Sequence, residues 1–164
     1  MKKYNQLNGI GKLLAICAMS VITAAAATST YAFDLVTLEE HSEAVEAGDN
    51  PVHDLIAKSI PGGPQIRIVS PEVTSDKLSS PVDIEVQFQS SEGVNIDMDS
   101  LKIYYLMFIK KDVTERILEN AEVGADSIKA SGANLPSGKH KFLVEISDSE
   151  NRKSSEKFIV EVDS

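Results

Sequence analysis

Val82-Asp83-Ile84-Glu85-Val86-Gln87-Phe88 alternates apolar and polar residues without a fault, and this stretch decides the fold class. Side chains on an extended strand point to opposite faces in turn. Val82, Ile84, Val86 and Phe88 therefore form a face for burial, and Asp83, Glu85 and Gln87 a wet one. The same period returns at His140, Phe142, Val144 and Ile146, opposed by Lys141, Leu143 and Glu145, and again at Phe158, Val160 and Val162. Ile66 and Ile68 flank Arg67 in a shorter version before Ser70-Pro71. Turn-forming runs separate these segments at Ser79-Ser80-Pro81, Ser91-Glu92-Gly93, Pro136-Ser137-Gly138 and Ser147 to Asn151. Strands punctuated in this way predict antiparallel hairpins in an all-β sandwich.

Working outward, one helical interruption is expected. Asp112 and Glu115 have the spacing of a capping box, and Val113, Ile117 and Ala121 fall at helical intervals, so a helix of about two turns should join two strands there. Upstream, Pro61-Gly62-Gly63-Pro64 can continue neither helix nor strand and sets the expected boundary between an extension, residues 33–64, and the sandwich domain, residues 65–164. The extension is acidic, with Asp34, Glu39, Glu40, Glu43, Glu46, Asp49 and Asp54 against Lys58 alone, which suits a flexible arm. It also has a helix signal: Thr37 and Glu40 make a capping box, Gly48 sits where the helix would stop, and Leu38, His41 and Val45 share a face. Val52, Leu55, Ile56 and Ile60 form a second apolar set.

Residues 1–32 match a secretory signal peptide. Lys2, Lys3 and Lys12 supply the charged region, Leu13 to Ala27 the apolar run, and Thr30-Tyr31-Ala32 the small-residue cleavage motif, which places the first residue after cleavage at Phe33. The run of about 15 apolar residues is shorter than the roughly 20 that span a bilayer, so no stable membrane span is expected after cleavage. Cys17, the one cysteine, lies inside that segment, and neither a disulfide nor a thiolate site is expected beyond it. The expected location is exported: periplasmic if a second membrane exists, extracellular otherwise.

Residues 65–162 resemble a bacterial immunoglobulin-like domain, similar in shape to fibronectin type III modules. The resemblance rests on Asp99-Ser100-Leu101-Lys102-Ile103-Tyr104, Asp112-Val113-Thr114, Leu135-Pro136-Ser137-Gly138-Lys139-His140, then Asp148, Asn151 and the closing Phe158, Val160 and Val162. It implies an immunoglobulin-like antiparallel β-sandwich in which Leu135-Pro136-Ser137-Gly138 turns into the penultimate strand and Asp148 to Asn151 forms the last hairpin. Glu150 stands where such domains carry glycine, which leaves that turn's type open. The fold hosts many roles and does not by itself name one.

Chemistry-bearing residues are sparse. The chain beyond residue 32 holds 13 basic and 25 acidic residues with no basic cluster in its sequence, which argues against a nucleic-acid partner. No nucleophile elbow, phosphate loop, dinucleotide fingerprint or zinc spacing occurs, so no enzyme, catalytic residue or cofactor is expected. His41 and His53 lie twelve residues apart, and His140 reads as a ring bonded to a neighbouring loop. Asn95, Asp97 and Asp99 alternate in an expected loop, which makes Asp97 and Asp99 the candidates for a calcium site. Sugar stacking is disfavoured, because beyond residue 32 there is no Trp and only Tyr104 and Tyr105.

The unusual stretch is Ile103 to Ile109, apolar or aromatic throughout. As a strand it presents Ile103, Tyr105, Met107 and Ile109 on one side and Tyr104, Leu106 and Phe108 on the other, and both sides need cover. The Asp112 helix or the N-terminal arm, through Leu38, Val45, Leu55 or Ile56, is expected to supply it. The alternative is that Tyr104, Leu106 and Phe108 bind a partner. The expected function is a non-catalytic, exported protein-binding or structural module of the cell envelope. Calcium or small-ligand binding is the alternative, an uncharacterised hydrolase through a carboxylate pair or His140 in a cleft comes third, and the oligomeric state is left open.

Overall fold

The computed structural model describes residues 32–48, 61–72 and 77–163. The expected signal segment up to residue 31 lies outside the described residues, as do Val52, His53, Leu55, Ile56 and Ile60.

In chain order the elements are β1 (Phe33–Asp34), α1 (Leu38–Ala47), β2 (Gln65–Ser70), β3 (Val82–Gln89), β4 (Ile96–Tyr105), β5 (Lys111–Asp112), α2 (Thr114–Leu118), β6 (Ala121–Val123), β7 (Ser127–Asn134), β8 (Gly138–Asp148) and β9 (Lys153–Val162). One sheet runs β1-β7-β3-β2, with β6 also on β7; the other runs β5-β4-β8-β9. Among the described residues the fold is all-β with two short helices, and the two sheets share one core. Val82, Ile84, Val86 and Phe88 of β3 and Ile128, Ala130 and Ala133 of β7 meet Ile103 and Tyr105 of β4, Phe142, Val144 and Ile146 of β8, and Phe158, Val160 and Val162 of β9. These are the alternating apolar faces expected of β3, β8 and β9, and removing them from water is the main driving force for closing the two layers.

Four details depart from expectation. Asp97 and Asp99 lie on strand β4 rather than in a loop, exposed between the inward Ile96 and Met98. α2 is a five-residue helix, shorter than two turns. Val113 and Ile117 are buried as the spacing implies, but Ala121 already belongs to β6. The acid before α2 works as a turn former: Asp112 Oδ1 accepts from the Thr114 N–H at 2.9 Å, while the residue capping the helix is Val113.

Residues 33–36 are joined to the sandwich. Phe33 and Asp34 pair in parallel with Ala133 and Asn134 of β7, beside the stretch of β7 that β6 covers. Leu35 and Val36, the next two residues, lie in the core, the first fully buried. The core therefore draws on residues before the proline-glycine run.

Candidate functional site

The functional candidates converge where α1 lies against the start of β8, the end of β4 and the tip that links β4 to β5. Thr37 and Glu40 form the expected capping box: the Glu40 N–H donates to Thr37 Oγ1 at 3.2 Å, and the Thr37 N–H donates to Glu40 Oε2 at 2.9 Å. Gly48 closes the helix at φ 62°, a left-handed value that glycine adopts without strain, and its N–H donates to the Val45 carbonyl. The buried side of α1 is not the expected one. Leu38 and Val45 are exposed, whereas Glu40 is buried and His41 and Ala44 are half-buried.

A buried carboxylate needs partners, and Glu40 has several. Arg116 of α2 binds it with two nitrogens, at 3.0 and 3.2 Å, and also donates to the Leu35 carbonyl at 2.6 Å. Lys111 of β5 completes the cluster. Burial alone would raise the carboxyl's pKa. The hydrogen bonds from Arg116, Lys111 and the Thr37 N–H, with the charge of Arg116, outweigh that effect and hold it at about 2.

Next to Glu40, His41 leads into a chain of polar contacts. His41 Nδ1 lies 3.4 Å from the Tyr105 hydroxyl, which lies 3.2 Å from His140 Nδ1; His140 Nε2 lies 2.7 Å from the Pro136 carbonyl oxygen. The carbonyl can only accept, so His140 Nε2 carries the proton. In neutral His140, Nδ1 then accepts from the Tyr105 hydroxyl, and the Tyr105 oxygen accepts from His41 Nδ1–H. The chain has one direction. Burial, opposed by the Pro136 carbonyl and aided by His41, lowers the His140 pKa to about 4. Burial and the charge of Glu40 raise Tyr105 to about 12. The two histidine rings stand 4.5 Å apart, and Gly138 gives them room: a Cβ there would meet His41 Nε2 at 2.7 Å.

With both ring nitrogens engaged and the ring fully buried, His140 has no lone pair to offer a substrate. It holds the start of β8 to the end of β4. Asp97 and Asp99 do not converge with other ligands, and no group of three or more metal-ligating residues occurs among the described residues.

The expected interface residues separate. Strand β4 ends at Tyr105, so the predicted alternation stops there. Leu106 is only 4% exposed, and its N–H donates to the Lys141 carbonyl at 2.9 Å. Tyr104 is half-buried beneath the Lys110 ammonium, 4.0 Å from the ring centre. Phe108 alone of the three faces solvent, at 73% exposure, and Ile109 beside it matches that value. These two and Met107 line a groove of about 470 Å³, whose other wall is Glu43, Glu46 and Ala47 of α1. Strand alternation alone puts Ile109 on the opposite face from Phe108, whereas the turn after Leu106 brings the two side by side. A run that ends in Lys110-Lys111 was the available signal for a hairpin tip.

Comparison with protein-family models, with curated proteins and with solved structures gives no match.

Proposed function

We propose that this chain is an exported, non-catalytic binding module of the cell envelope with an immunoglobulin-like β-sandwich fold, and that it engages a protein partner through Phe108 and Ile109. The observation that carries the reading is the exposure of these two large apolar side chains, adjacent at a hairpin tip and backed by α1. Paired apolar surface of this kind at a tip costs solubility unless it is used. Aromatic and aliphatic side chains at a rigid tip also suit an anchor that enters a partner's pocket.

Strand order supports the immunoglobulin-like part. The sequence β2-β3-β7-β6 in one sheet and β5-β4-β8-β9 in the other follows the A-B-E-D and C′-C-F-G arrangement of such sandwiches. β1 is an addition to that plan. The export reading rests on residues 1–32, and the expected cleavage point falls directly before β1, so the processed chain would keep that strand whole.

The test is capture from envelope extract by the purified protein and by a Phe108→Ser/Ile109→Ser variant with unchanged circular dichroism. Loss of a captured protein in the variant supports the reading. Equal capture by both removes the tip from the function, and no capture by the native protein overturns protein binding itself.

A further inference from the structure

The groove between α1 and the hairpin tip has two unlike walls. Met107, Phe108 and Ile109 form the apolar one, and Glu43, Glu46 and Ala47 the other. Among the described residues no strand borders it, because β4 ends at Tyr105 and β5 begins at Lys111. The groove therefore offers side chains to an occupant and no backbone ladder to extend. Met107 is half-buried, and its flexible thioether adapts to whatever packs on it.

The acidic wall continues beyond the groove. Glu39, Glu43 and Glu46 stand at positions i, i+4 and i+7 of α1, so they share one side of the helix and run along it for about 10 Å. All three are exposed, and none has an ion-pair partner among the described residues. The cations packed around α1 are engaged elsewhere. Lys111 and Arg116 hold Glu40, while Lys110 lies over the Tyr104 ring and 3.2 Å from Glu145. Lys139 and Lys141 lie on the other flank of α1, beside Ala44 and Val45. The result is apolar surface bordered by uncompensated negative charge, on a chain that beyond residue 32 holds 13 basic and 25 acidic residues.

We propose that this groove holds a short cationic amphipathic helix of a partner protein. This rests on the Phe108–Ile109 tip being a partner contact, and it gives that partner its chemistry. The apolar side of the helix lies on Met107, Phe108 and Ile109. Lysines or arginines one turn apart meet Glu43 and Glu46, which are themselves one turn apart. Burial of the apolar side supplies most of the affinity, and the acidic surroundings speed the encounter and select the sign of the partner. A second copy of this chain is a poor occupant, since it brings the same excess of acid. An anionic bilayer is repelled for the same reason.

The test is fluorescence anisotropy with the purified full-length chain and labelled synthetic peptides of about four helical turns. One is a leucine–lysine peptide patterned as an amphipathic helix, the second its leucine–glutamate counterpart, and the third a scrambled leucine–lysine peptide of the same composition. Phosphatidylglycerol vesicles serve as a fourth probe. The patterned leucine–lysine peptide is expected to bind best, and added salt should weaken it. Glu43→Gln/Glu46→Gln should weaken that binding about fivefold or more. Asp97→Asn/Asp99→Asn removes the same charge near the other end of β4 and should change it by less than about twofold. Phe108→Ser/Ile109→Ser should weaken it about tenfold or more. The proposal is overturned if the scrambled or the glutamate peptide binds as tightly, if only vesicles bind, or if the two acid pairs matter equally. If Phe108→Ser/Ile109→Ser weakens binding and Glu43→Gln/Glu46→Gln does not, the cationic partner falls and the apolar tip stands; if neither variant weakens it, both fall.

Discussion

His140 shows how one residue can look functional and be structural. Its ring is fully buried, and both nitrogens are spent on holding the start of β8 to Tyr105 and to its own preceding turn. The sequence places the histidine next to Pro136-Ser137-Gly138 and so makes the turn contact legible. Tyr105 and His41, 35 and 99 residues away, are not legible as partners, because only the pairing of β4 with β8 and the seating of α1 bring them in. The sign of its pH effect follows from the lowered pKa. In an unfolded chain His140 protonates near 6.5, in the folded one near 4, so the folded state binds fewer protons between those values. Stability is therefore full above pH 6.5 and falls as the pH drops toward 4. Urea unfolding should show a loss on the order of 2 kcal/mol between pH 7 and pH 5. His140→Phe, less stable at pH 7, should show a flatter profile over that interval; an equally steep one would place the titrating group elsewhere. Glu40, held at about 2, adds a second decline below pH 4.5 for the same reason of sign, since its charged form is the one the fold prefers.

At the scale of elements, β3, β8 and β9 are written in plain alternation because each has one face in the core and residues large enough to mark it. β7 is not. Its buried positions are Ile128, Ala130 and Ala133, and two alanines among Ser, Lys and Gly give a periodicity too faint to read. β4 misleads in both directions. Its first half carries Asp97 and Asp99, which read as turn residues, and the ladder to β8 has a register shift between Asp97 and Lys102, so exposed acids occupy a strand. Its second half runs into apolar residues that do not extend the strand but make the tip. α1 is legible at both caps and illegible in its face, because the side it buries is polar and becomes tolerable only through Arg116, Lys111 and Tyr105. The tip offers a direct test of this division. Leu106→Asp places a charge where 4% of the residue is exposed and should cost about 3 kcal/mol or more, enough to lower the melting temperature sharply. Phe108→Ser and Ile109→Ser remove side chains already in water and should shift stability by about 0.5 kcal/mol at most. Comparable losses in all three variants would mean that the whole tip is core.

At the scale of the molecule, the question is where the folding unit begins. The proline-glycine run at Pro61 to Pro64 marks a break in regular structure, yet contacts cross it in quantity. β1 adds to the edge of β7, Leu35 and Val36 enter the core, the Leu35 carbonyl accepts from Arg116, and Glu40 neutralises it. Full burial of a leucine or valine stabilises by about 1.5–3 kcal/mol each, and a single domain has only about 5–15 kcal/mol to lose. Removing residues 33–64 would expose the core under Leu35 and leave Arg116 without its carboxylate. It would also free the Tyr105 and His140 end of the sandwich from His41. A protein of residues 65–164 should therefore lose most of its stability relative to residues 33–164, with broadened amide resonances and earlier urea unfolding. Returning residues 33–48 as a separate peptide should recover part of the difference, because its contacts are with the folded sheet edge rather than with a local chain neighbour. If residues 65–164 unfold at the same urea concentration as the longer chain, α1 and β1 are accessories resting on a domain complete without them, and the acidic helix becomes free to act as a partner-facing arm.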